Sequence, residues 1–466
     1  MNNSATSASV GSLKSFHPTR FQFAIWLAIL LAVTFAIRVA AAVVWQARAP
    51  EDSGLVWGDS GTYWEIADAW IHTGTYQFGE PPQRTFRAPG YPAVLIVGRQ
   101  VAESFGVEFT VFRARLIGCA MGTLAVWLLV AWTIDLSGDR RIGLLAGALM
   151  AVEPGAVAMS VFVLAEAAFI PLMVLSLWAW TVAWRQPTLV RAVPVALLVG
   201  LVTGAAILVR PSWLLFAPCA VGLAFLFFPQ KRKQVCIALT VGAGIILSML
   251  PWWYRNYQLT DRWVITTLQV GASLYDGWNP EADGGSDMTH GYQATRPLLQ
   301  RYRARMEEQL GNIEPEAMEQ MSVALEVESN DLLMSEALRW GQQNPGKLFQ
   351  LAGVKIWKTW RPWPAAAEVQ SRWLTVLTTL AFVPLIVLSL LGAWRMSRRD
   401  YAWAICVWPA VYVTLLHAVF VGSMRYRQPA MIPLIVLAAM VIGGWLWSSS
   451  RIAPRSDNGS RSEPLP

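Results

Sequence analysis

Apolar runs of about twenty residues recur along this chain, each long enough to cross a bilayer as a helix. In lipid a helix satisfies its own backbone N–H and C=O groups, so repeated runs of this length specify a bundle of membrane-spanning helices. Only 14% of the 466 residues are charged and 55% are hydrophobic, against roughly 25% charged in a soluble globular chain. Spans are predicted at 22–45, 112–134, 141–157, 160–184, 191–209, 212–229, 234–253, 373–394, 401–420 and 429–448. The first run is too long for a signal-peptide core, and no small-residue cleavage pattern follows it. The expected fold is an all-α integral membrane bundle of about ten transmembrane helices with two structured extracytoplasmic loops.

Charge sets the orientation. Arg140 with Arg141, Arg185 with Arg191, Lys231 to Lys233, and Arg395 with Arg398 and Arg399 fall in loops on the side of the N-terminus, which the positive-inside rule makes cytoplasmic. The net charge of +7 is therefore a topology signal and not a nucleic-acid footprint. Many of the 25 tryptophans cluster near predicted span ends, as interfacial indoles do. The four cysteines, Cys119, Cys219, Cys236 and Cys406, all fall inside predicted spans and form neither a disulfide framework nor a zinc-ligand spacing. The chain divides into a cytoplasmic N-terminal tail (1–21), a bundle (22–253) with a first outer loop (46–111), an outer helical subdomain (254–372), C-terminal spans (373–448) and a disordered cytoplasmic tail (449–466). The apolar stretch from Tyr91 to Val97 is too short to cross and is closed by Gly98, Arg99 and Glu103, so it is read as interfacial or re-entrant.

In the first outer loop, Tyr63, Ile66, Ala67, Trp70 and Ile71 follow the helical period and predict an amphipathic helix on the membrane surface, with Asp59 at its start. The bland reading of Asp59 is an N-cap; the same first-turn amides can also hold a catalytic carboxylate ionised. In the second outer segment the glycine, asparagine and proline spacing of 271–280 reads as turns. Helices are predicted there at 296–310, 315–342 and 345–360, the last with Asn344 as cap and Pro345 as first residue.

Several ionisable residues sit at outer span ends, on the side of Asp59: Glu153, Glu166, Arg210, Arg255, His417, Arg425 and Arg427. Charges at the bilayer are costly, so a shared location is informative. Singly each has a structural reading. Arg255, Arg425 and Arg427 can be interface anchors, Arg210 can pair with Glu166 or Glu153, and His417 reads as a packing residue before a metal ligand. Jointly, acids facing several arginines around an outward cavity suit a phosphate or pyrophosphate, whose oxygens match the guanidinium fork, with a carboxylate as base on an acceptor hydroxyl.

Asp59-x-x-x-Tyr63, Arg87-x-Pro89-Gly90-Tyr91-Pro92, Leu164-x-Glu166, Arg210-Pro211, Arg255-Asn256 with Gly271 to Pro280, and Arg425-Tyr426-Arg427-x-Pro429 together resemble the bacterial GT-C glycosyltransferases of the family-39 type. That group is similar to protein O-mannosyltransferases and to the aminoarabinose and galacturonic-acid transferases of lipopolysaccharide. The resemblance implies a GT-C bundle in the bacterial inner membrane with its active site facing the periplasm. It implies inverting transfer of a sugar from a polyprenyl-phosphate donor to a lipid, glycan or protein hydroxyl, with no nucleic-acid partner. Asp59 matches the catalytic acid and is expected as general base, with Glu166, or else Glu153, as a second carboxylate that orients acceptor or sugar. Arg87, Arg210, Arg255, Arg425, Arg427 and Tyr63 are expected at the donor phosphate or sugar. The pattern also departs from its relatives. Ser60 replaces the second acid of the mannosyltransferases, and Phe86 stands where the aminoarabinose enzymes carry a metal-binding glutamate. No cofactor is indicated, and a divalent metal stays an open alternative.

Two other classes compete: a flippase or transporter for lipid-linked sugars, and a GT-C-fold binding subunit without activity. No internal repeat or paired broken helices are evident, and polar residues gather at one end of the spans, which favours chemistry at one face.

Overall fold

The computed structural model describes residues 18–48, 54–55, 57–308, 314–364, 371–396 and 402–447. The predicted C-terminal tail, most of the N-terminal tail, and Arg398 with Arg399 lie outside the described residues. Seventeen α-helices follow one another among them: α1 (Arg20–Gln46), α2 (Gly58–Thr73), α3 (Gly90–Ser104), α4 (Val111–Ser137), α5 (Arg140–Val152), α6 (Pro154–Val161), α7 (Glu166–Arg185), α8 (Leu189–Val209), α9 (Phe216–Phe227), α10 (Lys231–Thr260), α11 (Val270–Gly277), α12 (Thr289–Glu308), α13 (Pro315–Gln343), α14 (Pro345–Trp360), α15 (Arg372–Met396), α16 (Ala402–Val419) and α17 (Met424–Leu446).

Seven of these, α1, α4, α7, α8, α10, α15 and α17, are long and apolar enough to cross a membrane, and the α5–α6 pair makes eight if it counts as one broken span. The expected count of about ten is not reached. The segments predicted at 212–229 and 401–420 form the shorter apolar helices α9 and α16. The straight span predicted at 141–157 is instead bent by 63° where α5 meets α6. Pro154 explains the bend, because it has no N–H for the Met150 carbonyl one turn back. The next predicted span, 160–184, starts only at Glu166, after the chain leaves helix at 162–165.

Buried arginines repair the break. Arg38, fully buried within α1, donates from Nε to Ser160 Oγ at 3.1 Å and directs its η nitrogens at Ala151 O (3.4 Å) and Met150 O (3.5 Å). Arg115 of α4 does the same at the far end of α6, donating to Val161 O at 2.9 Å and also to Gln46 Oε1 and Gly54 O. Gly118 and Gly122 let α6 lie directly on α4, since a Cβ would fall 2.3 Å from Ser160 O at the first and 2.1 Å from Ser160 Oγ at the second. The spans α7 and α17 are the most enclosed, while α1 and α15 face outward along most of their length.

At one end of the bundle the basic loops meet: Arg140 donates to Pro18 O, Arg185 pairs with Asp135 at 3.0 Å, and Lys233 reaches Trp184 O. The outer segments gather at the other end. There α2 buries Tyr63, Ile66 and Ala67 of the predicted apolar face but leaves Trp70 exposed, α3 is a 15-residue helix, and α12, α13 and α14 match the predicted helical stretches. The turns predicted at 271–280 are in part helical, as α11. Gly271 serves close packing, because a Cβ there would sit 2.2 Å from Asn330 O of α13. Asn344 precedes α14 but makes no cap bond with its side chain, which turns back to Trp340 O.

Candidate active site

Asp59 is the second residue of α2, and the cap bond expected of it is not made. Its carboxylate instead joins two distant segments. Arg87 Nη2, from the loop before α3, donates to Oδ1 at 2.7 Å, and Arg425 Nη2, at the start of α17, donates to Oδ2 at 2.8 Å. Arg425 continues the chain of charge, its Nε lying 2.6 Å from Glu166 Oε1 at the start of α7. Arg210, at the end of α8, reaches the same oxygen at 2.6 Å. Three arginines and two carboxylates therefore alternate in one line, Arg87, Asp59, Arg425, Glu166, Arg210, drawn from five separate elements.

The positions are fixed on several sides. Arg87 donates to Thr62 Oγ1 at 3.1 Å and Gln269 Oε1 at 3.2 Å, and its guanidinium lies 5.4 Å from the Tyr63 ring. Tyr63, one turn beyond Asp59, stands edge-on to Tyr91 at 5.1 Å. Tyr426 lies 5.5 Å from both Arg210 and Arg425, and its other neighbour is His417, stacked at 4.4 Å. His417 is buried and bonded to Val421 O, the packing role its sequence context suggested.

Electrostatics follow from this geometry. Burial alone would raise the Asp59 carboxyl, but Arg425 and Arg87 overcome it and hold the group well below the usual carboxylate range. Burial opposes the charge on Arg87, and Asp59 more than restores it. Burial raises the Tyr63 hydroxyl to about 12 against the pull of Arg87, so it is a donor in the neutral range.

A cavity of about 1320 Å³ opens in front of the acid–arginine line. Asp59, Thr62, Arg87, Gln269, Arg425 and Tyr426 form a polar end of it, and the rest of its wall mixes apolar residues of α1, α6 and α15 with further charged side chains, among them Arg48, Glu153, Lys358, Arg361 and Arg427. Asp59 keeps 28% of its side chain open, whereas Glu166 keeps none. Glu166, Arg210 and Tyr63 thus stand behind the cavity wall, where they act on the residues that face it.

The other predicted site residues are placed differently. Arg255 faces away from the cavity, donating to Arg84 O (3.0 Å) and Asn256 Oδ1 (2.9 Å) over the rings of Tyr76 and Trp252. Arg427 lines the cavity but donates to Thr359 O (3.2 Å) and Arg361 O (2.5 Å), with Phe382 under its guanidinium at 3.9 Å. Glu153 also lines it and caps α6 through Ala156 N.

Both Asp59 oxygens and one of Glu166 accept from guanidiniums, and among the described residues no three of His, Cys, Asp or Glu come together as a ligand set.

Thr62, Gln269, Arg38, Arg115 and Glu326 carry structural weight that sequence reading missed. Glu326 of α13 accepts from Arg84 N at 2.9 Å and Thr85 N at 3.0 Å, pinning the loop that presents Arg87. Arg38 did carry a signal, an arginine within an unbroken apolar run. Glu326 and Gln269 carried none, lying in an ordinary polar segment.

Comparison with known proteins agrees with this architecture. Residues 90–266 match the family described as dolichyl-phosphate-mannose-protein mannosyltransferase. Among curated proteins no match is found. The archaeal oligosaccharyltransferase AglB from Archaeoglobus fulgidus, solved with an inhibitory peptide and a dolichol-phosphate, is similar over 92% of this chain and 51% of its own, with a TM-score of 0.56 at 14% identity. The Archaeoglobus fulgidus oligosaccharyltransferase in the apo form gives 0.55 over the same shares, also at 14% identity. ArnT from Cupriavidus metallidurans bound to undecaprenyl phosphate aligns over 91% of this chain and 78% of its own, with a TM-score of 0.44 at 15% identity. The chain spans about half the length of the archaeal enzyme. With an all-helical bundle of membrane-spanning helices and these likenesses, the chain has the GT-C fold, and over residues 90–266 it is similar to the dolichyl-phosphate-mannose-protein mannosyltransferases.

Proposed function

We propose that this chain is an inverting glycosyltransferase, moving a sugar from a polyprenyl-phosphate donor to a hydroxyl of a lipid, glycan or protein at the outer face of a bacterial cytoplasmic membrane. The observation that carries the reading is the placement of Asp59. It is the one carboxylate of the acid–arginine line that opens onto the cavity, and the cavity joins that polar end to an apolar wall. A lipid-linked sugar has the same two halves. The archaeal oligosaccharyltransferase of this fold was solved with a dolichol-phosphate, which supports a donor of that class. The basic loops at the opposite end of the bundle support an outward-facing site.

In the proposed reaction the acceptor oxygen attacks the anomeric carbon, the bond from that carbon to the phosphate oxygen breaks, and polyprenyl phosphate leaves. The acceptor proton passes to Asp59. Because both Asp59 oxygens are occupied at rest, one guanidinium yields its oxygen when the acceptor arrives. Arg425 is suited to that shift, since Glu166 already holds its Nε. A carboxylate so strongly ionised is a weak base, so proton transfer comes late, when the attacking hydroxyl has become acidic. The leaving phosphate departs as an anion and requires cations more than an acid.

The test is sugar transfer by reconstituted protein supplied with a panel of polyprenyl-phosphate sugars and a membrane-lipid extract, with the product anomer assigned by NMR. Release of polyprenyl phosphate with an inverted linkage is the expected result. Movement of an intact lipid-linked sugar across the bilayer, with no donor consumed, contradicts it and favours transport.

A further inference from the structure

The arginines expected at the donor phosphate or sugar are committed at rest. Arg87, Arg210 and Arg425 are paired with carboxylates, and Arg255 and Arg427 give N–H groups to backbone carbonyls. The cavity nevertheless has cations with little to do. Arg361, the residue that ends α14, lines it with Nε buried and without a hydrogen-bond partner among the described residues. Lys358, one turn earlier, lines it too, and its partner is the exposed Asp283 at 2.9 Å, a pair of small net worth. Arg48, just past the end of α1, is exposed on the same cavity, and its side chain has no partner among the described residues.

These cations share the cavity lining with apolar residues of two spans. Ile37, Ala41 and Val44 of α1 form one apolar side, and Leu374, Leu377 and Phe382 of α15 the other. Arg48 lies at the end of the first side and Arg361 at the approach to the second. Arg427 fixes the Arg361 backbone by donating to its carbonyl, while the Arg361 Nε has no partner among the described residues. A cavity walled in part by two outward-facing helices, lined by two arginines without side-chain partners among the described residues and by a lysine held only in an exposed pair, is complementary to an amphiphile with one anionic group.

We infer that Arg361, assisted by Lys358 and Arg48, holds the phosphate of a polyprenyl-phosphate lipid whose hydrocarbon chain lies in the slot between α1 and α15. The inference rests on the donor class proposed above and adds which residues grip the anion. It divides the labour: Arg361 and its neighbours bind the lipid phosphate, while Arg87 and Arg425 tune Asp59.

The experiment measures binding of sugar-free polyprenyl phosphate, against neutral polyprenol, to wild type and variants in nanodiscs by native mass spectrometry. Wild type is expected to prefer the phosphate. Arg361→Gln should weaken phosphate binding at least about tenfold, the scale of one charge-assisted hydrogen bond, and Arg361→Lys should restore most of it. In turnover the same loss should appear in KM for the donor with kcat little changed. Arg48→Gln, at an exposed position that leaves the fold intact, should cost a smaller factor of the same kind. If wild type binds the phosphate and Arg361→Gln and Arg48→Gln bind it equally well, the inference is overturned while the donor reading stands. If wild type itself shows no preference over polyprenol, the donor reading fails and this inference with it.

Discussion

Arg425 Nη2 lies 2.8 Å from Asp59 Oδ2 although 366 positions separate the two residues. Its Nε meanwhile holds Glu166 at 2.6 Å. One guanidinium thus ties the start of the last span to the first outer helix and to the centre of the bundle. Arg425→Lys cannot span both carboxylates, because an ammonium lacks the planar fork. We expect a fall in kcat of about a hundredfold, the scale of a mispositioned catalytic group, with the variant still folded, as measured by turnover and by thermal unfolding in detergent.

Glu166 is fully buried between Arg425 and Arg210. Glu166→Gln leaves two guanidiniums without their shared anion, and breaking a buried pair costs about 3 kcal/mol or more. A drop in thermal stability should accompany the loss of activity. A Glu166→Gln protein that melts with wild type would contradict the role of this residue as the counter-ion behind the site.

The pH dependence follows from the sign of the Asp59 shift. Its folded value lies below the model-peptide value of 3.8, so its charge and the stability it contributes are fully present above that value and are lost only at more acid pH. Wild-type kcat/KM should therefore show no acid limb from Asp59 between pH 4 and 7. Removing one cation weakens the hold, and in Arg87→Gln an acid limb should move up by about one pH unit toward the ordinary carboxylate range. An Asp59 carboxyl that titrates at the same pH in Arg87→Gln as in wild type, followed by NMR in detergent, would show that Arg87 does not hold the charge of Asp59.

Glu326 acts at a distance. It accepts from two backbone amides of the loop that carries Arg87, and its removal leaves them unpaired in a buried setting. Glu326→Ala should cost about 1–3 kcal/mol and loosen the loop, which faster hydrogen exchange at 84–87 would reveal.

Much of the site was legible because its chemistry is written in residue types that membranes rarely tolerate. An aspartate after the first span and arginines at three span ends point to one outer face, and Asp59, Arg87, Glu166, Arg210 and Arg425 do meet there. The division between facing and supporting residues was not legible. Whether Glu166 opens onto the cavity depends on side-chain packing between α7, α8 and α17, and no local pattern encodes it. Arg255 and Arg427 looked alike to Arg425 in sequence, yet carbonyls claim them. The count of about ten is not confirmed, because the runs 212–229 and 401–420 form helices shorter than a full span, and hydropathy does not register the bend that Pro154 introduces between α5 and α6. The family match covers 90–266 and so reaches neither Asp59 nor Arg425. Their pairing is a property of the folded chain.

The most direct measurement compares wild type with Asp59→Asn in single-turnover release of polyprenyl phosphate, alongside donor binding measured on the same samples. The account predicts a fall of about a thousandfold in the chemical step, the scale of a lost general base, with donor binding retained because Arg361 still holds the phosphate. Wild-type turnover by Asp59→Asn would contradict it and leave Asp59 as a structural partner of two arginines.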